Sequence, residues 1–305
     1  MIGPKDDLRH EISGPAGRES LWFNVSLEDE GLAVLAYTWV GVEGRAGSIL
    51  AVVNREDEAV VHATAADVDA AGMDFDAWRV GGLEVRTLEP LQTAEVSFSS
   101  AEASLELTYT GMHEAFAYGD HPDGCPQYVA RERFEQGCRV EGRLTLGGRE
   151  IAIDTRGHRD HSWGAREWNA YHHWKWLNAQ TDEVQTNFFH CLAHGLVLVN
   201  GYVARTGERP SPIVAVDGIQ MTHDDDWSHR HVELTLHTED GGELAFEADR
   251  YARFSFPAGE SIVLDEVACT GTLDGVPAST HVEMGWDRTY AERQSRRLRD
   301  AAVSG

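Results

Sequence analysis

Short runs of alternating apolar and polar residues recur along most of the chain. Residues 20–26 (SLWFNVS) and 104–109 (SLELTY) follow this pattern, which is the period of a strand with one buried face. Apolar or alternating runs of similar length predict further strands at 32–42, 48–54, 83–87, 94–98, 133–142, 143–155, 174–179, 184–192, 196–205, 213–221, 231–237, 244–251 and 261–273. Many short strands with turn signals at short intervals favour an all-β fold.

Turn signals and helical patterns complete this picture. Gly147-Gly148 and Asp240-Gly241-Gly242 predict tight hairpin turns between neighbouring strands. Residues 65–71 show a weak helical pattern. Residues 289–302 (TYAERQSRRLRDAA) show a convincing one, which we expect Gly305 to end. The chain therefore reads as antiparallel sandwiches or barrels with a short C-terminal helix.

Two strand series of similar length flank the middle of the chain. We place a domain boundary near residue 165, which gives an N-terminal β-domain at 1–165 and a C-terminal β-domain with the terminal helix at 166–305. No linker rich in proline or serine marks this boundary, so we expect the two halves to pack tightly.

Composition narrows the possible partners. The formal net charge of −25, from 51 acidic and 26 basic residues, repels phosphate backbones and anionic headgroups, so neither nucleic acid nor a membrane is expected as a partner. No apolar run approaches the roughly 18 residues of a membrane span, and no leader peptide is recognisable. No glycine-rich phosphate loop exists, which disfavours nucleotide cofactors. Four cysteines without CxxC spacing fit free thiols in a cytoplasmic protein.

Aromatic and titratable side chains concentrate at residues 157–176. This segment contains four of the nine tryptophans and four of the fifteen histidines. Large indole rings beside groups that can transfer protons are typical of a pocket for an apolar ligand with a reactive position. The predicted walls of such a pocket are Trp163, Trp168, Tyr171, Trp174 and Trp176.

The candidate catalytic residues are Asp160, His161 and His172. A buried carboxyl group has a raised pKa and can act as an acid or a base. The alternative is a structural brace between Asp160 and one of the arginines at 156, 159 and 166. In an extended strand Asp160 and His161 point to opposite sides, so only one would face a cavity unless a turn at Gly164 intervenes.

The neighbouring tryptophans follow the same rule. In a strand Trp174, Trp176 and His172 would point to one side and form an indole wall with an imidazole at one end. Such a wall can stabilise a developing carbocation. The alternative is an ordinary apolar core.

The sequence allows three further interpretations. His158, Asp160 and His161 could start a metal site that is completed from His172, His173, His190 and His194. Cys191 could be a nucleophile, although its apolar neighbours favour a buried, inert thiol. Glu283 and Asp287, at the end of the last strand, could add a carboxylate to a cavity mouth or could simply be solvated.

The central motif resembles that of a known superfamily. Gly157, the run Asp160-His161-Ser162-Trp163-Gly164 and the later Trp174-Lys175-Trp176 are similar to the signature of the carotenoid hydratase (hydroxyneurosporene synthase) and attachment-protein superfamily. Residues 159–168 (RDHSWGAREW) and 19–24 (ESLWFN) look closer to an actinobacterial branch of that group.

This resemblance implies two lipocalin-like β-barrels in tandem, with a hydrophobic cavity near their junction. Hydratases of the superfamily add water to an isoprenoid double bond without metal or nucleotide, and similar folds serve as cyclases and Diels–Alderases. The motif implies that Asp160 is the proton donor, His161 its partner or base, and Trp163 a wall. The chain departs from the hydratases at Arg159, where they have an aromatic or small residue, and at Ser162, which replaces an amide or acid.

The sequence thus predicts a cofactor-independent enzyme that acts on an isoprenoid, terpenoid or steroid-like small molecule, as a hydratase (lyase) or as an isomerase or cyclase. Two alternatives remain open: a non-catalytic carrier of hydrophobic ligands, and a metal-dependent hydrolase.

Overall fold

The computed structural model describes residues 2–258 and 261–304, which form two β-sheets and one α-helix. The first sheet contains β1 (Gly17–Leu27), β2 (Leu32–Gly41), β3 (Arg45–Asn54), β4 (Ala59–Asp69), β5 (Trp78–Val80), β6 (Leu83–Glu89), β7 (Thr93–Ser99), β8 (Ala103–Gly111), β9 (Phe116–Ala117), β10 (Glu132–Leu146) and β11 (Arg149–Ala165). Its strand order is β4-β3-β2-β1-β11-β10-β8-β7-β6-β5, and β9 pairs with β10.

This sheet curls onto itself around an apolar core. Ser48 on β3 donates a hydrogen bond from Oγ to the carbonyl of Val80 on β5 at 2.9 Å, which fixes the two ends of the curl together. Alternate residues such as Leu21 and Phe23 fill the enclosed core. Trp22 points the other way, toward the second sheet.

The second sheet is a closed antiparallel barrel. Its strands are β12 (Tyr171–Gln180), β13 (Val184–Ala193), β14 (Leu196–Arg205), β15 (Ser211–His223), β16 (His229–Thr238), β17 (Glu243–Ala258), β18 (Ile262–Leu273) and β19 (Val276–Asp287), followed by α1 (Arg288–Ser304). Leu177, Phe188 and Val267 belong to the apolar cluster on its inner face.

The two sheets meet through their outer faces. One apolar cluster draws on both of them and includes Trp22, Leu35, Val53, Trp176, Phe189 and Ala268. Between the last strand of the first sheet and the first strand of the barrel lies a short 3₁₀ turn, Trp168–Ala170. The all-β class with two barrel-like sheets and a terminal helix is therefore confirmed, while the division into two domains at residue 165 stays a prediction.

Local predictions had mixed outcomes. Gly147-Gly148 does join β10 to β11, and both glycines have positive φ as a tight turn requires. The boundary predicted between strands 133–142 and 143–155 was wrong, because β10 runs through Gly142. Glycine is required there, since a Cβ would collide with the carbonyl oxygen of Glu106. The helix predicted at 65–71 was also wrong, since β4 pairs with β3 up to Asp69.

Two further local predictions lie in the second half. Residues 240–242 form the turn between β16 and β17, and the C-terminal helix is present as α1. Its predicted end at Gly305 lies outside the described residues. None of the helices in the described part of the chain has the length and apolarity needed to cross a bilayer; the predicted cytoplasmic location stays a prediction.

Candidate active site

A partly open cavity of about 240 Å³ lies between the two sheets. It is larger than the roughly 150 Å³ space that holds benzene and smaller than the roughly 300 Å³ minimum for drug-sized ligands. The enclosed part therefore suits one or two rings, and the opening leaves room for a longer ligand to extend outward. The residues that line it and enter the argument are Trp22, Arg133, Asp160, Trp168, Tyr171, Trp174, Glu266 and Glu283.

Three of the five predicted wall residues line this cavity. The rings of Trp168 and Tyr171 lie 6.1 Å and 5.1 Å from that of Trp174, so they form one continuous aromatic surface. Trp176 lies behind this surface, edge-on to Trp22 at 4.7 Å. Trp22 itself lines the cavity and was missed as a wall residue, although its place in an alternating strand was recognised.

Asp160 faces the cavity from β11, directly opposite Trp22 in the strand pairing. Arg133 on β10 donates a hydrogen bond from Nη2 to Asp160 Oδ2 at 2.6 Å. Burial raises the pKa of Asp160 to about 6, and the Arg133 guanidinium limits that rise. The carboxyl group therefore lines a cavity and is also braced, which combines the two readings that the sequence left open.

The bracing arginine was missed, and the three proposed from the sequence have other partners. Arg156 pairs with Asp182, Arg159 with Asp7, and Arg166 donates to the hydroxyl of Ser162. Arg133 is 27 residues from Asp160 in sequence, and only the pairing of β10 with β11 brings them together.

His161 and Trp163 lie on the opposite side of β11, as the strand period requires. His161 Nε2 hydrogen-bonds to Glu19 Oε1 at 2.8 Å, and the ring of Trp163 stacks on His10 at 4.0 Å. Gly164 does not redirect either side chain, because β11 continues to Ala165. The structure therefore does not bring His161 or Trp163 to the cavity that contains Asp160.

His172 is also separate from the cavity, because its side chain is exposed at the start of β12. The expected alternation with Trp174 fails since the pairing of β12 with β13 shifts between Tyr171 and His173. Such a bulge inserts an extra residue and reverses the facing of those before it. Tyr171 takes the cavity-facing position in its place.

Two glutamates complete the cavity from the barrel side. Glu266 on β18 and Glu283 on β19 are direct partners in the strand pairing. His281 Nε2 and Glu266 Oε2 share a hydrogen bond of 2.7 Å, and Trp174 donates from Nε1 to Glu283. Glu283 is one of the two acids that the sequence offers as a carboxylate at the cavity mouth. Glu266 was missed, although two adjacent acids, Asp265 and Glu266, within the otherwise apolar run 262–268 were a usable signal.

Burial sets the protonation of this pair. It raises the pKa of Glu266 to about 8. Burial, and then the neighbouring charge of Glu266, raises the pKa of Glu283 well above its ordinary value. Two carboxyl groups this close titrate as a unit, because both cannot easily be ionised together. At neutral pH the cavity therefore holds at least one carboxylic acid with a proton to give.

A further buried carboxyl group, that of Glu135, lies behind Arg133. Glu135 contacts Arg133, accepts a hydrogen bond from Trp176 Nε1 at 3.1 Å and lies 2.8 Å from His158 Nε2. Burial raises the pKa of Glu135 to about 7 and lowers that of His158 to about 3. His158 is therefore neutral and donates to Glu135, which holds the guanidinium in place behind Asp160.

The predicted metal set is not assembled. His158 and Asp160 face one side of β11 and His161 the other. A different group, His10, Glu19 and His161, places ligand atoms within 4.8 Å of one another. Burial alone would raise the pKa of Glu19, but hydrogen bonds with His10 and His161 hold it below its usual value. These three residues could hold a cation: His10 and His161 both hydrogen-bond to Glu19, while His161 Nδ1 is buried without a hydrogen-bond partner among the described residues.

The two remaining candidates, Cys191 and Asp287, have structural roles. Burial raises the pKa of the Cys191 thiol to about 12, which removes the thiolate that a nucleophile needs. Asp287 accepts a hydrogen bond from the backbone N–H of Tyr290 at 2.9 Å. It therefore caps α1 and does not contribute to the cavity mouth.

Solved structures with the same fold include a protein assigned as AttH from Nitrosomonas europaea, with 14% identity, TM-score 0.62 and coverage of 89% of this chain and 93% of that one. Kievitone hydratase from Nectria haematococca has 12% identity, TM-score 0.58 and coverage of 88% of both chains. CghA in complex with Sch210972 has 14% identity, TM-score 0.62 and coverage of 89% and 88%.

At 12–14% identity these similarities show a shared fold, the fold that the resemblance to the hydratase and attachment-protein superfamily predicts. The narrower resemblance to an actinobacterial branch stays a prediction. No curated protein matches the chain in sequence. A family model described as Domain of unknown function (DUF7064) matches residues 3–288, and the chain therefore belongs to that family.

Proposed function

We propose that the chain is an enzyme that carries out acid–base chemistry on a mainly apolar small molecule held between its two sheets. The reaction class is hydratase, isomerase or cyclase, without a cofactor. The observation that carries the proposal is the pair Glu266 and Glu283, whose raised pKa values keep a proton inside an indole-lined cavity at neutral pH. A general acid needs a pKa near the working pH, and this pair supplies it.

The proton moves from this pair to the substrate. A carboxylic acid of Glu266 or Glu283 protonates one carbon of an alkene, and the π electrons form the new C–H bond. The adjacent carbon becomes cationic and the glutamate becomes a carboxylate. The indole faces of Trp22 and Trp174 stabilise that cation in a site with little water.

The cation has two ways forward. Water can attack it and lose a proton to the glutamate carboxylate, which gives an alcohol and regenerates the acid. Alternatively, the neighbouring carbon can lose a proton to the carboxylate, which gives an isomerised alkene. A substrate with a second alkene can instead close a ring before that proton is lost.

Asp160 has a different role in this scheme from the one implied by the superfamily motif. Its pKa of about 6 and its contact with Arg133 make it mainly a carboxylate at pH 7. A fixed negative charge on the cavity wall favours a developing positive charge. We therefore propose Glu266 and Glu283 as the proton source, and Asp160 as the anion that stabilises the cation or accepts a proton.

The substrate proposal is an isoprenoid, terpenoid or steroid-like molecule. The cavity of about 240 Å³ encloses one or two rings, and its opening admits the rest of a longer ligand. Kievitone hydratase is a hydratase by name, and the structure of CghA is one with the small molecule Sch210972. The shared fold is therefore compatible with a small-molecule substrate.

The test begins with a thermal-shift screen of terpenoids, steroids and polyketides. Ligands that bind are then incubated with the protein in water enriched in heavy oxygen, and the products are analysed by mass spectrometry. We expect Glu266→Gln and Glu283→Gln to abolish turnover while ligand binding survives. Glu247→Gln, an exposed position on the outside of β17, is the control with full activity. Unchanged turnover in both cavity variants would overturn the acid assignment.

A carrier function is the second candidate. The Arg133–Asp160 ion pair favours it, because this pair can serve only to hold β10 and β11 together. A carrier binds the same ligands and returns them unchanged. In that case Asp160→Asn would lower the melting temperature with no turnover to lose. Recovery of every bound ligand unaltered by the wild type would favour the carrier.

A metal-dependent hydrolase is the third candidate, favoured by the convergence of His10, Glu19 and His161. Elemental analysis of purified protein tests it. A stoichiometric metal that is lost in His161→Ala would support a metal site.

A further inference from the structure

A buried lysine lies inside the barrel, away from the cavity already described. Lys5 and Lys175 are the only lysines in the sequence. Lys175 is 7% exposed and lies between Trp174 and Trp176 on β12. Since both tryptophans point toward the first sheet, the strand period directs Lys175 to the opposite side, into the barrel.

Imidazoles and indoles surround this amine. His190 on β13 is its direct partner in the strand pairing, so their Cβ atoms lie about 5 Å apart. The Nζ of Lys175 lies 5.5 Å from the ring centre of Trp286. The ring of His173 stacks on the same Trp286 ring at 5.1 Å. His223, at the end of β15, is the remaining basic side chain of this group.

Aromatic rings cover this end of the barrel. His223 stacks on Trp227 at 4.0 Å, and Trp227 lies 5.6 Å from Trp286. Tyr290, in the first turn of α1, stacks on Trp286 at 5.6 Å. The side chains of His173, His190 and His223 are only partly buried, so this region remains accessible from solvent.

Several polar groups in this region have no hydrogen-bond partner in the described chain. Within residues 2–258 and 261–304, no carboxylate forms an ion pair or hydrogen bond with Lys175. Four buried nitrogens nearby also lack a partner in the described chain: Trp227 Nε1, Trp286 Nε1, His190 Nδ1 and His223 Nε2. Trp286 is 8% exposed, and its indole N–H can only donate.

The protonation states show which of these groups can only donate. Burial, and then the charge of Lys175, lowers the pKa of His173 and His190 to about 4, so both imidazoles are neutral at pH 7. Burial lowers the pKa of Lys175 to about 8, which still leaves most of the amine charged. A neutral imidazole can accept as well as donate, whereas the ammonium group of Lys175 and the indole N–H groups of Trp227 and Trp286 can only donate. None of these three donors has an acceptor within the described chain.

Each buried donor without an acceptor costs about 1–3 kcal/mol. An oxyanion has several acceptor atoms and a negative charge, and it therefore matches both the ammonium group and the indoles. We propose that this end of the barrel binds a small oxyanion, a carboxylate or a phosphate, with Lys175 as its counter-ion and the indole N–H groups of Trp227 and Trp286 as donors. This site lies on the opposite face of β12 from the proposed acid–base cavity, so the two proposals can be tested independently.

Thermal unfolding with acetate or inorganic phosphate, against sodium chloride at equal ionic strength, tests the proposal. We expect acetate or phosphate to raise the melting temperature of the wild type and of Lys5→Met, the matched control. Lys175→Met should lose this rise, and Lys175→Arg, which keeps the positive charge, should retain part of it. Equal rises in the wild type and in Lys175→Met would overturn the site.

A labelling experiment on the wild type keeps the test decisive even where a variant folds poorly. An amine-acetylating reagent modifies Lys5 and Lys175, and peptide mass spectrometry reports the rate at each position. With the better anion at about ten times its Kd, the rate at Lys175 should fall about tenfold and the rate at Lys5 should not change. An unchanged rate at Lys175 across the accessible concentration range of both anions would refute the proposal.

Discussion

Replacing Arg133 with methionine tests the electrostatics of the site. Arg133 contacts Glu135 and Asp160, and the three side chains are 11%, 0% and 10% exposed. Removing one partner of a buried ion pair costs about 3–5 kcal/mol, because it leaves uncompensated charge in a medium of low polarity. We expect Arg133→Met to lower the free energy of unfolding by that amount at pH 8.

The loss should depend on pH in a defined direction. Burial already raises the folded-state pKa of Glu135 to about 7 and that of Asp160 to about 6, while Arg133 limits both rises. Without Arg133 both pKa values rise further above their unfolded values. A carboxyl with a raised folded-state pKa favours folding at low pH and loses that contribution as the pH rises through the folded pKa. The deficit of the variant should therefore shrink from pH 8 to pH 5.

Urea unfolding followed by far-ultraviolet circular dichroism at pH 5 and pH 8 measures both effects. The control is Arg139→Met, on the same strand, whose pair with Asp154 has side chains 41% and 63% exposed. An exposed pair contributes less than about 1 kcal/mol. A loss of similar size in both variants, or a deficit in Arg133→Met that does not change with pH, would refute this account of the site.

Three further predictions concern the cavity and the fold. Glu266→Gln should flatten the pH dependence of stability. The wild type should lose stability relative to the variant as pH rises from about 5 to 9, since the pKa of Glu266 is about 8 in the folded state and near 4.3 in unfolded chains. Equal slopes of unfolding free energy against pH in urea titrations would contradict this. Ala258→Trp fills part of the cavity between the sheets, which Ala258 lines. It should abolish the thermal shift caused by a ligand of this cavity while the circular dichroism spectrum is preserved. A ligand that still shifts the melting temperature of this variant binds at another place. Gly142→Ala should cost about 1–3 kcal/mol, because φ is +151° there and the new Cβ meets the carbonyl of Glu106, whereas Gly3→Ala, with open space around it, should change the urea midpoint little.

Much of the fold could be predicted because its information is local. Alternating residues such as 20–26 and 104–109 became strands, and the glycines at 147 and 148 became a hairpin turn. Residues 65–71 have an alanine-rich helical pattern, but residues 65–69 form a strand, because their pairing with β3 overrides the local helix preference.

The site was less predictable, since it depends on contacts between distant segments. The strand period correctly separates Asp160 from His161, but no local pattern shows which side meets the other sheet. His172 was misplaced by a bulge that the sequence does not reveal. Arg133 and Glu266 come to the cavity through strand pairing, so only the structure identifies them as neighbours of Asp160.

The central claim is that the cavity between the sheets holds a protonated carboxyl at neutral pH. Carbon-13 NMR of protein labelled at the glutamate side-chain carboxyl measures this directly, with signals assigned through Glu266→Gln and Glu283→Gln. The account predicts that at least one of these two carboxyl signals remains that of the acid at pH 7 and shifts to that of the carboxylate only in more alkaline solution. Two signals that both titrate near pH 4 would contradict it.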